Sequence, residues 1–582
     1  MEYIKTKFYD DVDRICPLNE YPRPQMTREN WQNLNGEFLY AIGNSLDVAP
    51  TVFNDKILVP FAIESQLSGV CKQLKPTEIL WYSKTFTVNE KIKNDRILLH
   101  FGAVDWKCKV YVNGTLVGEH VGGYVPFALD ITDALKAGEN ELRVAVYDPT
   151  DEGWQQRGKQ TLESHGFWYT ATSGIWQTVW MEGVAASYIK NVKLLPDIDT
   201  DSLKVDLDIV GSADKITAEI LDGEKVILAQ EIQASDVIKL SDYECWSPEN
   251  PKLYDLRITL SLNGNAVDTV VSYFGMRKYS IRKVNGIPRL CLNNEPYFHN
   301  GLLDQGYWCD GGMTPPTDEA MIYDIAKMKE LGFNMLRKHI KVEPARWYYH
   351  CDRLGMLVWQ DMVSGGKPVS QWIAGVLPNL SIDIKDNKYK AFSREKPEWR
   401  EDFRRELFEV IDSLYNTVSI CCWVPFNEGW GQFDAYEIGH AVKRYDPSRH
   451  VDHASGWHDQ HGPEFRSIHR YIVPVTMPGR KEGRPFVLSE FGGYSRIING
   501  HVWNKKKSFG YIMFTSEKAL SKAYKVLFKT QIIPLIKKGL CATVYTQVSD
   551  VEFEVNGILT YDRKLVKLDE SMLKEINAQM RY

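Results

Sequence analysis

The sequence predicts three parts: an N-terminal β-sandwich of jelly-roll type, an immunoglobulin-like β-sandwich and a C-terminal (β/α)8 TIM barrel. Three observations predict them. Residues 1–185 read as short strands separated by turns, with no long stretch of helical period. Residues 186–277 alternate strictly between apolar and polar positions. Residues 278–582 switch to strands alternating with helices, over a length that suits eight such units.

The elements follow in order. In the first part, Trp81–Val88 (WYSKTFTV), Arg96–Phe101 (RILLHF), Lys109–Val112 and Glu141–Tyr147 (ELRVAVY) are predicted strands. Asn113-Gly114 supplies the positive φ of a tight hairpin turn. In the second part, KVDLDIV, KITAEIL, DLRITLSL and VDTVVSYF read as half-buried strands, and Trp246–Leu253 (WSPENPKL) as a proline-rich turn between two of them. In the third, Thr317 is the predicted N-cap of DEAMIYDIAKMKEL. Asp318 and Glu319 lie in its first turn, Met321, Ile325 and Met328 on one face, and Gly332 closes it. FNMLRKH (strand), PARWYYHCDRLG (helix) and MLVWQDM (strand) come next, then ICCWVPF, HVDHA, RSIHRY, PFVLSEF and CATVYTQ. With FHNGL at the start these make eight predicted strands.

Bulk properties narrow the function. A chain of 582 residues exceeds what one core usually supports, so several domains are expected. Aromatic residues make up 12%, a content that suits stacking on sugar rings but equally suits large sandwich cores. The net charge of −6, without a long basic run, argues against nucleic acid as a partner. No apolar stretch reaches the roughly 18 residues needed to span a bilayer, so no membrane partner is expected. The N-terminus, MEYIKTKFYDDVDR, lacks the apolar core of a signal peptide, which points to the cytoplasm. The ten cysteines include no C-x-x-C pair, and Cys421 and Cys422 sit in an apolar run. Buried free thiols are expected rather than a zinc ribbon, and neither a cofactor nor a metal is expected.

Functional residues of a (β/α)8 barrel sit where strands end at its C-terminal face. The fourth predicted strand ends in Asn427-Glu428-Gly429-Trp430, the seventh in Ser489-Glu490-Phe491-Gly492, and the third in Gln360-Asp361. Glycoside cleavage needs two carboxyl groups flanking the anomeric carbon. A separation of about 5–5.5 Å gives retention, and a wider one inversion. Strands four and seven lie across a barrel mouth from each other, so Glu428 and Glu490 can face one another. The competing reading makes each a solvated carboxylate at the start of a loop.

A family resemblance rests on motifs spread over nearly the whole chain. In the first part these are Tyr21-Pro22-Arg23-Pro24, Trp81-Tyr82, Gly122–Phe127 (GGYVPF) with Asp130-Ile131-Thr132, and Ser173–Gln177 (SGIWQ). The second part adds Trp246–Tyr254 (WSPENPKLY). The barrel adds Asn300-Gly301, Asn334–Arg337 (NMLR), Phe426-Asn427-Glu428 and Ser489–Gly492 (SEFG). In these the chain resembles glycoside hydrolase family 2, the family of β-galactosidases, β-glucuronidases and β-mannosidases. The resemblance implies a retaining exo-β-glycosidase acting on a carbohydrate substrate, with Glu428 as general acid/base and Glu490 as nucleophile. It also implies that Asn427 holds a sugar hydroxyl and that Tyr471 orients the nucleophile. Arg337 is expected to keep the nucleophile ionised, since a nearby cation lowers a carboxyl pKa.

Other positions depart from the family pattern. His339 matches the family's substrate-binding His, but the run Arg337-Lys338-His339-Ile340 is one residue short. Tyr545 stands where similar enzymes often place a Trp under the sugar. Trp457 and His458 follow strand five, and Asp304 follows strand one; Trp457 and Asp304 are further substrate-binding candidates. Asn504-Lys505-Lys506 has the form of the Asn-x-Lys pair with which β-glucuronidases hold a uronate, yet it lies only 14 residues past Glu490. Read as a solvated lysine run, it leaves a neutral sugar such as galactose as the default, with glucuronide, mannoside and arabinoside open. Two rival functions stand beside these: a carbohydrate-binding protein without catalysis, and a metal hydrolase using Asp452, His453, His458 and His461. Self-association to a homo-oligomer is common in multidomain enzymes of this kind.

Overall fold

A computed structural model describes residues 4–582 except 371, 381, 478–482 and 505. The predicted order of sandwich, sandwich and barrel is present.

The first sandwich faces a six-stranded antiparallel sheet with one of four strands. In order across it, the six are Asp55–Val59, Gly36–Gly43, Ile79–Thr87, Glu139–Tyr147, Lys107–Val112 and Thr115–Val121. Phe38, Leu80, Leu99, Val110, Val144 and Met181 fill the space between the two sheets. Asn113 and Gly114 have φ of 51° and 82°, the geometry of the predicted hairpin turn. The second sandwich packs Tyr188–Asp197, Ser202–Val210 and Ser235–Lys239 over Lys225–Ile232, Lys215–Asp222, Tyr254–Leu262 and Asn265–Phe274. Its turn WSPENPKL does more than connect strands. Trp246 is fully buried, and its indole donates to the Asp352 carbonyl at 2.7 Å, fastening the second sandwich to the barrel.

The barrel strands are β1 (His299–Asp304), β2 (Met335–Lys338), β3 (Leu357–Asp361), β4 (Ile420–Val424), β5 (His450–Val451), β6 (Arg466–Arg470), β7 (Phe486–Gly492) and β8 (Leu540–Thr546). They form one sheet in the order 5-4-3-2-1-8-7-6, and every pairing in it is parallel. β5 has only two residues, and no ladder joins it to β6 among the described residues. The Ser455 and Ser467 hydroxyls meet there instead, at 3.5 Å. Helix α1 (Asp318–Glu330) begins as predicted: the Thr317 hydroxyl accepts from the Ala320 amide at 3.2 Å, and Met321, Ile325 and Met328 are buried. All ten cysteines are free, and seven, Cys421 and Cys422 among them, are buried. No described helix is long and apolar enough to cross a membrane.

One connection matters most for the site. Between Glu139–Tyr147 and Val179–Val184, the first sandwich sends residues 151–170 over the mouth of the barrel. There Gln156 pairs with Gly365, and its amide donates to Asp402 at 3.0 Å. The Thr170 amide donates to Glu552 at 2.8 Å, and the Tyr169 hydroxyl to Glu554.

Candidate active site

β4 and β7 deliver two glutamates to the barrel mouth. Glu428 lies just past β4 with φ of 52°, and Gly429 follows at 72°, so the chain turns back as soon as the strand ends. The Glu428 amide is tied to the Ser455 carbonyl at 3.0 Å. Glu490 sits within β7, and its side chain is 4% exposed against 27% for Glu428. An oxygen of each carboxylate and a ring nitrogen of His469 lie within 4.8 Å of one another. His469, on β6, stands between them: Nδ1 is 2.7 Å from Glu428, and Nε2 is 3.7 Å from Glu490. Two of these three groups are the facing glutamates, so the cluster reads as an acid pair bridged by an imidazole.

Glu490 is gripped from both sides. The Arg337 guanidinium donates to it at 3.2 Å, to both oxygens of Asp361 at 2.9 and 3.0 Å, and to the Asn427 side-chain oxygen at 2.9 Å. The Tyr471 hydroxyl donates to its other oxygen. Burial alone would raise the pKa of Glu490. The charges of His469, His339 and Arg337, with the Tyr471 hydrogen bond, overcome burial and hold it below the usual glutamate range. His339 is itself depressed well below an ordinary imidazole, by burial and then by the charge of Lys159. Arg337 is the permanent cation beside Glu490, because a guanidinium stays charged at any working pH. His339 Nδ1 lies 2.7 Å from Asp361 and 3.9 Å from Glu490.

These groups open onto a cavity of about 530 Å³. The barrel lines it with Glu428, Glu490, Asn427, His339, Trp457 and Tyr471; the first sandwich closes one side with Arg157, Lys159, His165 and Trp168. A larger cavity, about 750 Å³, lies between the sandwiches and the barrel around Arg23, Arg28 and Glu182, and holds neither glutamate.

Not every predicted residue reaches the site. Asp304 ends β1 directly opposite Lys338 on β2; the Lys338 ammonium takes its carboxylate at 2.7 Å, away from the cavity lining. Tyr545 is not a platform. Successive residues of a strand face opposite ways, so its ring packs against Phe491 and Tyr524 while Thr546 lines the cavity. His458 is buried, with Nε2 at 2.8 Å from the Ile373 carbonyl, and does not line the cavity. The Asn504 side chain caps the Lys506 and Lys507 amides at 2.9 and 3.0 Å, and Lys506 is exposed. Neither lines the cavity, and Lys505 lies outside the described residues. Of the proposed metal ligands, His461 is 77% exposed and His453 turns to Asp459 at 3.2 Å, so the set does not converge.

Sequence reasoning missed His469, Arg157 and Lys159. The first left a trace: it precedes Tyr471 by two residues on an extended strand, which puts both on one face.

Fold and site together define a three-domain protein whose barrel mouth holds a facing pair of glutamates. Three family models match in succession: the glycosyl hydrolase 2 galactose-binding domain-like model over residues 71–179, glycosyl hydrolases family 2 over 187–277, and the TIM barrel domain of that family over 312–581. The chain belongs to glycosyl hydrolase family 2. It is 26% identical over 476 residues to a β-galactosidase of Clostridium acetobutylicum, which covers 72% of this chain and 49% of that one. It is 31% identical over 440 residues to a β-galactosidase of Thermoanaerobacter pseudethanolicus, covering 72% and 55%. The chain thus spans about half the length of the curated relatives it matches. A solved structure of a β-D-glucuronidase from Dictyoglomus thermophilum shares the fold, with a TM-score of 0.75 at 18% identity over 96% of this chain and 98% of that one.

Proposed function

We propose that the protein is a retaining exo-β-glycosidase, with Glu490 as nucleophile and Glu428 as general acid/base. The observation that carries this reading is the approach of the two carboxylates, with an oxygen of each within 4.8 Å. Retention needs carboxyl groups about 5–5.5 Å apart, whereas inversion needs about 6.5–9.5 Å to admit a water between them. In the first step Glu428 gives a proton to the leaving oxygen as Glu490 attacks the anomeric carbon. In the second, Glu428 takes a proton from water as that water displaces Glu490. Arg337 and Tyr471 keep the nucleophile ionised and aimed, and Asn427 offers its amide to a sugar hydroxyl. The wall of first-sandwich residues suits exo action, because it closes one side of the cavity. The names of the relatives bring two substrate classes to this chain, β-galactosides and β-glucuronides. We also place the domain divisions at 185/186 and 277/278, where Val184 ends one sheet and Phe274 another.

A panel of nitrophenyl β-glycosides with wild type and Glu490→Gln tests the reading. Wild type turns over at least one of them with retained anomeric configuration by NMR, and the variant loses about 10⁴-fold or more in kcat. Near-normal rates in the variant would refute the assignment of the nucleophile. A wild type that binds sugars but cleaves none would leave a carbohydrate-binding role.

A further inference from the structure

The cavity carries two cations that, among the described residues, make no ion pair within 4.0 Å. Arg157 is 4% exposed, and its Nε and Nη1 have no hydrogen-bond partner. Its guanidinium lies 5.3 Å from the ring centre of Trp430 and 5.8 Å from that of Trp168. Lys159 lines the same cavity. Its ammonium lies 5.7 and 5.8 Å from the ring centres of Phe167 and Tyr169, and its charge reaches His339. Gly158 between them has φ of 65°. The Ile340 carbonyl and the Tyr124 hydroxyl each lie 3.0 Å from where a Cβ would sit, so this backbone is pressed against the barrel.

The acids of the cavity other than the facing pair are already engaged. Asp151 accepts from the Thr161 hydroxyl at 2.7 Å and the Leu162 amide at 3.1 Å; Glu554 accepts from Tyr169 and, at 2.9 Å, from Asn556. Gln305, also on the cavity wall, is 3% exposed and has both amide atoms unpartnered. Burying a cation is expensive unless it is paired and hydrogen-bonded; burial pulls the Arg157 guanidinium down to about 10, outweighing the opposing charge of Asp151. A neutral sugar would leave this cost standing, whereas a carboxylate would offset it through charge-assisted hydrogen bonds.

On the glycosidase reading above, we propose that the terminal sugar carries a carboxylate, as a hexuronide does, and that Arg157 and Lys159 of the first sandwich recognise it. Charge recognition then lies on the jelly-roll segment, not on the Asn504–Lys506 loop of the barrel.

The test uses the full chain with nitrophenyl β-glucuronide, β-galacturonide, β-glucoside, β-galactoside and β-galactoside 6-sulfate. Wild-type kcat/KM is expected to favour a uronide over its neutral counterpart by about 10²-fold or more. Lys159→Met removes about 10²-fold from kcat/KM on the uronide, chiefly through KM, and far less from neutral substrates. Arg157→Gln shifts the same ratio in the same direction, and thermal unfolding shows whether each variant is folded. A wild type that prefers a neutral glycoside, or a Lys159→Met that weakens charged and neutral substrates equally, overturns the proposal. Preference for the sulfated sugar overturns the carboxylate. If wild type cleaves nothing, the glycosidase reading fails, and calorimetric binding of free glucuronate, galacturonate and galactose to wild type and Lys159→Met decides the clamp. Uronate binding lost in the variant supports it; equal or absent binding overturns it.

Discussion

On the glycosidase reading, replacing Arg337 with Gln should move the pH at which activity is lost. The guanidinium is wholly buried and serves Asp361, Asn427 and Glu490 at once. A hydrogen bond to a charged group contributes about 1.5–3 kcal/mol, which corresponds to about one to two pH units in the ionisation of Glu490. Glu490 is held below the usual glutamate range, so activity is present above its pKa and lost as pH falls through it. Without Arg337 that loss should come at a pH about one to two units higher. Asp361 would also be left buried without its cation, costing about 3–5 kcal/mol of stability. Arg337→Lys, which keeps one charge but not the fork, should hold the acid limb near its wild-type position. The assay is kcat/KM against pH on the best aryl glycoside, with folding checked by circular dichroism. A folded Arg337→Gln whose acid limb coincides with that of wild type would refute the electrostatic role.

Two further outcomes are expected. Tyr471→Phe keeps the ring stacked on Tyr511 at 3.9 Å but removes the hydroxyl that serves Glu490. It should lower kcat/KM by roughly 10- to 10²-fold with little change in thermal unfolding; an unaltered rate would mean the hydrogen bond is idle. Glu552→Gln should stabilise the protein at alkaline pH. Burial lifts this carboxyl to about 7 from an ordinary 4.5. Folded and unfolded chains are therefore both protonated at pH 4, while above pH 7 the folded state carries a penalty of about 3 kcal/mol. The apparent Tm of the variant should exceed that of wild type at pH 8 and match it at pH 4; equal values at pH 8 would place the titration elsewhere.

The barrel was legible because strands buried on both faces read as apolar runs, as Ile420–Val424 and Phe486–Gly492 do. β5 was harder to delimit: Asp452 and His453 follow its two residues and are buried polar groups. In the second sandwich, Tyr188–Asp197 escaped notice because a bulge between Ile189 and Asn191 breaks its alternation, and Lys225–Ile232 because most of its residues are exposed. The glutamate pair stood out as acids ending apolar strands. Asp304 met the same criterion, but nothing local reveals that Lys338 lies across from it on the next strand. Arg157 and Lys159 gave no signal, because their place depends on how two distant folds dock.

That docking also sets when the protein can begin to work. The Thr170 amide closes on Glu552, and the Tyr169 hydroxyl on Glu554, 382 and 385 residues further along the chain. During synthesis the first sandwich emerges and folds early, yet its overhanging segment has nothing to latch onto until the ribosome has delivered the stretch just beyond β8. The overhanging segment thus stays unlatched until that stretch has emerged, and a product terminated before Glu552 would carry Glu490 but an unlatched pocket.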